Sequence, residues 1–136
     1  MMTEWEFLAE LCQRSGCYLL LDINNVYVSA YNHNFEAKTF IDHIPCDRVQ
    51  QFHLAGHTNK GKHIIDTHDA PIIDEVWQLY AYALERFGSI STLIERDDHY
   101  PPFAELMTEL EQARTLLEPH LKTVSPQKQV LHANSA

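Results

Sequence analysis

Asp66 and His68 stand two apart, directly after the apolar pair Ile64-Ile65 and ahead of Asp69-Ala70-Pro71. In an extended chain, residues two apart point to the same side, so a carboxylate oxygen and an imidazole nitrogen would reach for one point. Three other apolar runs end in the same kind of residue: Leu20-Leu21-Asp22, Gln51-Phe52-His53 and Leu93-Ile94-Glu95. Each puts a metal-type ligand where a strand would stop. Two imidazoles and three carboxylates suit a first-row transition metal such as iron, manganese or zinc better than calcium or magnesium, which prefer oxygen alone. Asn25, in the turn after Asp22, offers an amide oxygen to the same set. Every one of these residues also has a plainer reading. Asp22 can cap a turn, His53 can be a hydrogen-bonded core histidine, Asp66 and His68 can form a loop ion pair, and Glu95-Arg96-Asp97-Asp98 can be a solvated charge cluster. Their joint placement at strand ends favours a site.

His57, following Gly56, is read as a supporting or substrate-facing residue. His63 and His99 are expected in exposed loops, and His33, His43, His120 and His132 in structural or disordered positions. No G-x-S-x-G elbow is present, and four glycines cannot build a dinucleotide or phosphate cradle.

The elements that must position these residues alternate between helix and strand. Thr3 and Glu6 form a capping box that opens a helix through about Arg14, with Phe7, Leu8 and Leu11 as its apolar stripe and Ser15-Gly16 as its stop. Tyr18 to Ile23 reads as a strand buried on both faces. Asn24 and Asn25 then turn the chain into a mixed segment through Ala30, followed by a polar loop at Asn32-His33-Asn34. A short helix covers Ala37 to His43, Val49 to Ala55 is the second strand, and His57 to His63 reads as loop. Asp74 caps a helix to about Phe87 that buries Val76, Trp77, Leu79, Tyr80, Ala83 and Leu84. Ser91 to Glu95 is the third strand. Pro101 and Pro102 precede a last helix, Phe103 to Leu117, ended by Pro119. The domain is expected to span 1–120, and the polar, aperiodic stretch 121–136 is expected to be a disordered tail.

Strands each followed by a helix indicate parallel α/β units with right-handed crossovers, which carry their chemistry at the C-terminal strand ends. A closed (β/α) barrel of this kind needs about 250 residues. This chain has 136, which fits a small open sheet or one part of a barrel. Hydrophobic residues make up 45% of it, enough for one core, and the formal net charge is -9. That balance argues against a nucleic-acid backbone or an anionic membrane as main partner. It suits a cation or a basic surface. No apolar run is long enough to span a bilayer and no signal peptide is read. With Cys12, Cys17 and Cys46 odd in number and no CxxC pair, a cytoplasmic protein with free thiols is expected.

Four motifs occur here in one order: Leu21-Asp22-Ile23-Asn24-Asn25-Val26-Tyr27-Val28-Ser29, His53-Leu54-Ala55-Gly56-His57, Ile65-Asp66-Thr67-His68-Asp69-Ala70-Pro71 and Leu93-Ile94-Glu95-Arg96-Asp97-Asp98. Together they resemble the multinuclear non-haem iron-dependent oxidase family, the methanobactin-biosynthesis-protein-B-like group, from about Thr3 to Leu117. The resemblance implies a TIM barrel holding two or three irons. It implies oxidative modification of cysteines in ribosomally made precursor peptides, and a small partner protein that presents the peptide. By motif it implies metal ligands at Asp22, Asn25, His53, Asp66, His68 and Glu95. The family's remaining ligands, two histidines and a glutamate, belong to the barrel's N-terminal half. This chain is therefore expected to be the C-terminal half, a partial TIM barrel that binds metal but does not catalyse alone. His99-Tyr100 departs from the Asn-Ile type of pair that commonly precedes the prolines. Open edges at Tyr18–Ile23 and Ser91–Glu95 would permit a homodimer. Competing readings are a metal-dependent hydrolase or isomerase on a related barrel, and a non-catalytic remnant that binds a partner.

Overall fold

The computed structural model describes residues 1–121, so the tail expected over 121–136 lies, from 122 on, outside the described residues. Helix α1 (Glu4–Ser15) opens with the Thr3/Glu6 capping box and closes on Gly16, whose φ of 73° is left-handed. A residue without Cβ takes that conformation at little cost. Three strands follow along the chain: β1 (Leu19–Asp22), β2 (Val49–Leu54) and, after the hairpin strands below, β5 (Ser91–Ile94). They form one parallel sheet in the order β1-β2-β5, so β2 is central and both other strands are edges. Between β1 and β2 lie helices α2 (Ile23–His33) and α3 (Ala37–His43). Helix α4 (Asp74–Phe87) precedes β5, and α5 (Phe103–Leu117) follows it, ending in a 3-10 turn at Glu118–His120.

The core lies between the sheet and the helices. Leu21, Phe52 and Leu54 from the strands meet Ile23, Val26, Phe40, Ile41, Ile44, Val76, Tyr80, Ala83 and Leu84 from the helical layer. The Phe52 ring packs edge-on against Tyr80 and Phe87, each at 6.0 Å between centroids. Burying a side chain of this size contributes about 1.5–3 kcal/mol. Behind β5, the nearly buried guanidinium of Arg96 reaches Glu109 on α5 at 3.4 Å, and Glu109 also accepts the Ile72 N–H at 3.0 Å. That carboxylate ties α5 to the loop ahead of α4.

Register decides which side chains share a face. Asp22 pairs with His53, His53 with Leu93, and Leu20 with Gln51. Alternation along each strand then sets Leu20, Asp22, Gln51, His53 and Leu93 on the face away from the core. This face is open: Leu20 is 51% and Leu93 46% exposed.

Asp74 does not cap α4: it is the first helical residue, after Ile73, whose carbonyl accepts the Val76 and Trp77 N–H groups at 3.1 Å. The loop expected from Asn32 begins only at Asn34, because α2 runs through His33. Three further expectations need correction. The first strand is not buried on both faces, because the described helices cover only one side of the sheet. Ile23 to Ala30 is not a mixed segment but most of helix α2, which Asp22 starts by accepting the Asn25 N–H at 2.8 Å and Asn34 stops in a left-handed conformation. Ile23, Val26 and Ala30 give it a buried stripe. The stretch after Gly56 is not all loop: β3 (Thr58–Asn59) pairs antiparallel with β4 (Ile64–Ile65) in a small hairpin outside the main sheet. Asp66 and His68 therefore extend from this hairpin, not from a sheet strand.

Candidate metal centre

The open sheet face leads into a cluster of acids and imidazoles at the C-terminal strand ends. Asp22 ends β1 and caps α2, so one carboxylate oxygen is committed to the Asn25 N–H. His53 is the penultimate residue of β2, and its Nδ1 lies 3.1 Å from Glu95 Oε2 just beyond β5. His68 sits among them. Its Nδ1 is 3.2 Å from Glu95 Oε2 and 3.6 Å from Asp97 Oδ2, while its Nε2 is 2.9 Å from Asp66 Oδ1 and 3.5 Å from Asp22 Oδ2. Asp22, His68 and Glu95 each offer a ligand atom within 4.8 Å of the others. Asn25 joins through Asp66, donating from Nδ2 to Oδ2 at 3.0 Å. All six sequence-predicted residues thus belong to one cluster. Asp97, absent from the predicted set, belongs beside it.

Asp66 and His68 do converge, though not by strand alternation. His68 has φ 53°, a left-handed backbone. A side chain there strains the chain by about 1–2 kcal/mol, and main-chain hydrogen bonds hold it in place. The His68 N–H donates to Gly56 O at 3.1 Å and its carbonyl accepts the Asp97 N–H at 2.8 Å, while the Glu95 N–H donates to Leu54 O at 2.9 Å. Gly56 is required by close approach: a Cβ there would lie 2.0 Å from the Ala70 carbonyl oxygen. Nearby, Asp69 accepts from Thr58 Oγ1 at 3.1 Å and from Thr67, bracing the hairpin to the ligand loop.

Charge in the cluster is dense. Burial pulls the His68 imidazole down, but the carboxylates of Asp66, Asp22, Glu95 and Asp97 outweigh it and leave its pKa raised. Asp22 is raised mainly by burial, against the lowering effect of the Asn25 N–H. His68 Nε2 is sealed from solvent and makes no hydrogen bond among the described residues, since its 2.9 Å approach to Asp66 lacks the alignment of one. A buried nitrogen lone pair or proton without a partner is costly, and one facing two carboxylates has the donor set of a transition-metal ligand. The residues present fit a metal ion.

The four-residue charge run divides accordingly. Glu95 turns to the two histidines, Arg96 turns inward to Glu109, and only Asp97 and Asp98 remain exposed. His57 lies beside the cluster, stacked on Tyr27 at 5.4 Å between ring centroids and hydrogen-bonded through Nδ1 to Asn24 Oδ1 at 2.9 Å. Burial lowers its pKa, which favours the neutral imidazole. His99 is exposed and 3.5 Å from Asp69, and His63 is exposed. Asn24, passed over as a turn residue, is fully buried against the cluster. Its only sequence signal is its place between Asp22 and Asn25.

Fold and site together define an α/β protein with a candidate metal centre at the C-terminal ends of its parallel strands. The chain belongs to the family described as RiPP precursor modification enzyme MbnB/TglH/ChrH, whose model matches residues 1–118. It is 53% identical over 121 residues to a UPF0276 protein of Rhizorhabdus wittichii, covering 89% of this chain and 44% of that protein. It is 55% identical over 113 residues to a UPF0276 protein of Caulobacter vibrioides, covering 83% and 40%. The chain therefore spans less than half the length of these relatives. No helix among the described residues is long and apolar enough to cross a membrane.

Proposed function

We propose that this chain supplies one part of an iron-dependent enzyme that oxidatively modifies cysteines in ribosomally made peptides. The observation that carries the metal reading is His68 Nε2, buried and unbonded between the carboxylates of Asp66 and Asp22. Asp22, Asn25, His53, Asp66, His68 and Glu95 are the ligands in this reading. The family description, a RiPP precursor modification enzyme, supports a precursor peptide as substrate. That the precursor carries cysteines and is brought by a small presenting protein is part of the same proposal. Iron held by these residues would supply the O2 activation and one-electron redox chemistry of the reaction. The chain's own part is to aim the ligands: Asn25 holds Asp66, Glu95 spans His53 and His68, and the left-handed backbone at His68 directs its ring inward.

The exposed leucines Leu20 and Leu93 share the sheet face that leads to the ligands. A sheet face that no described element covers, with exposed leucines beside the ligand residues, and two open parallel edges support a TIM barrel completed by further strands, and the greater length of the relatives supports the same. Three free cysteines fit the reducing cytoplasm.

Metal analysis after anaerobic purification tests the site. Sub-stoichiometric iron or zinc is expected, rising when the remaining part of a longer relative is added in trans. Metal content unchanged by combining Asp66→Ala with His68→Ala would refute this placement. Mass spectrometry of a cysteine-rich peptide incubated with iron, reductant and O2 should show no turnover by this chain alone, and turnover in the completed assembly only with O2. Turnover without O2 would favour a hydrolase or isomerase.

A further inference from the structure

Two adjacent asparagines open helix α2, and the structure divides their work. Asn25 is exposed and uses Nδ2 on Asp66 Oδ2, leaving its own oxygen free to ligate. Asn24 is 0% exposed, the one buried polar residue among the described residues, and both ends of its amide are engaged. Nδ2 faces the Gly56 carbonyl oxygen at 3.2 Å and Asp66 Oδ1. A carbonyl and a carboxylate only accept, so the amide nitrogen must be on that side and the oxygen must face His57 Nδ1 at 2.9 Å. An amide oxygen only accepts as well. The proton of the neutral His57 ring therefore sits on Nδ1. Its Nε2 makes no hydrogen bond among the described residues and is not sealed from solvent.

We propose that Asn24 is a positioning residue that fixes Asp66 with one end of its amide and, with the other, locks His57 as the Nδ1–H tautomer with a bare, proton-accepting Nε2 beside the centre. The tautomer is set by hydrogen bonds within this chain, and only the word "centre" rests on the function proposed above. Between Asn24 and Asn25, both Asp66 oxygens receive an amide N–H, which restricts how that carboxylate can turn. Tyr27, stacked on the imidazole, holds the ring in the plane that Asn24 needs. Partners of this kind orient a ligand and fix a ring's tautomer without touching the metal. His57 Nε2 becomes the atom to which an arriving group can give a proton.

Long-range 1H–15N correlation spectra of the metal-free chain, with 15N-labelled histidine, read the tautomer directly. The His57 pattern of a protonated Nδ1 and a bare Nε2 is expected, and its collapse to the mixture of free imidazole in Asn24→Ala. A protonated Nε2 in the unaltered chain, or a tautomer unmoved by Asn24→Ala, would overturn the proposal. A merely structural asparagine would change stability and leave the tautomer alone. Anaerobic iron(II) titration of the same pair should show about 10–100-fold weaker binding in Asn24→Ala. If the unaltered chain takes up no iron(II), the proposed function fails while the tautomer still decides this inference. If Asn24→Ala loses cooperative unfolding in urea, the spectrum of the unaltered chain decides it alone.

Discussion

Gly56→Ala should be among the most damaging single-atom-group additions to this chain, although the glycine touches no ligand atom of the cluster. The new Cβ would meet Ala70 O at 2.0 Å, Ala70 C at 2.4 Å and Pro71 O at 2.6 Å, all main-chain atoms that no rotamer change can move. Restoring ordinary contact requires a backbone shift of about 1 Å, and overpacking of this kind costs ~1–3 kcal/mol. The Gly56 carbonyl also accepts from Asn24 Nδ2 at 3.2 Å and from His68 N at 3.1 Å. Stretching those two bonds adds about 1 kcal/mol each. The combined loss, roughly 3–5 kcal/mol, is a large share of the ~5–15 kcal/mol by which a domain is stable. With a urea slope of about 1–3 kcal/mol/M for a small protein, the unfolding midpoint should fall by on the order of 2 M. Equilibrium urea unfolding followed by tryptophan fluorescence measures it. A midpoint within about 0.3 M of the parent would refute the reasoning, because the loop would then accommodate a Cβ where the structure allows none.

Truncating Phe52, which is fully buried between Tyr80 and Phe87, to Ala should cost about 3–5 kcal/mol, read from the same urea curves. The Glu6 carboxyl is held below its ordinary pKa by the Thr3 backbone N–H and side chain. A depressed folded-state pKa gives stability that is present above the unfolded value and lost as pH falls through the folded one. Glu6→Gln should therefore flatten the acid limb of the stability profile and leave it unchanged in slope above pH ~6, checked by thermal melts across pH. Among the described residues the outer edges of β1 and β5 pair with no strand and lie next to exposed Leu20 and Leu93, so association is expected in sedimentation equilibrium. A compact monomer at micromolar concentration would contradict it.

The helices with strong side-chain periodicity were legible in the sequence. The six buried positions expected in α4 are the six observed, and α5 runs between the expected residues. The capping box at Thr3 is formed as its spacing predicts. Helix α2 was not legible, because Asn24 and Asn25 are poor helix formers whose cost is offset by distant partners: Gly56, Asp66 and His57 lie more than thirty residues away. The hairpin strands, two residues each, are too short to carry a period. Of the site, ligand types at apolar run ends marked the residues, but not how they meet. The reach of His68 comes from a left-handed backbone that no side-chain pattern encodes. Asp97 looked like one of several exposed acids, and nothing local separates it from Asp98.

The main-chain bonds that link Gly56 to His68 and His68 to Asp97 run crosswise over the ends of the sheet, stitching together loops from three different parts of the chain. Each loop lends the next a donor or an acceptor, so none can peel away without exposing polar groups in its neighbour. Slow amide exchange should reflect this. The His68 and Asp97 protons, although both sit in loops, should exchange together and respond equally to denaturant, as members of one opening unit. The His68 and Asp97 side chains carried on this unit should then leave the cluster together in one event, while Asp22 and His53 stay on the sheet strands that hold them.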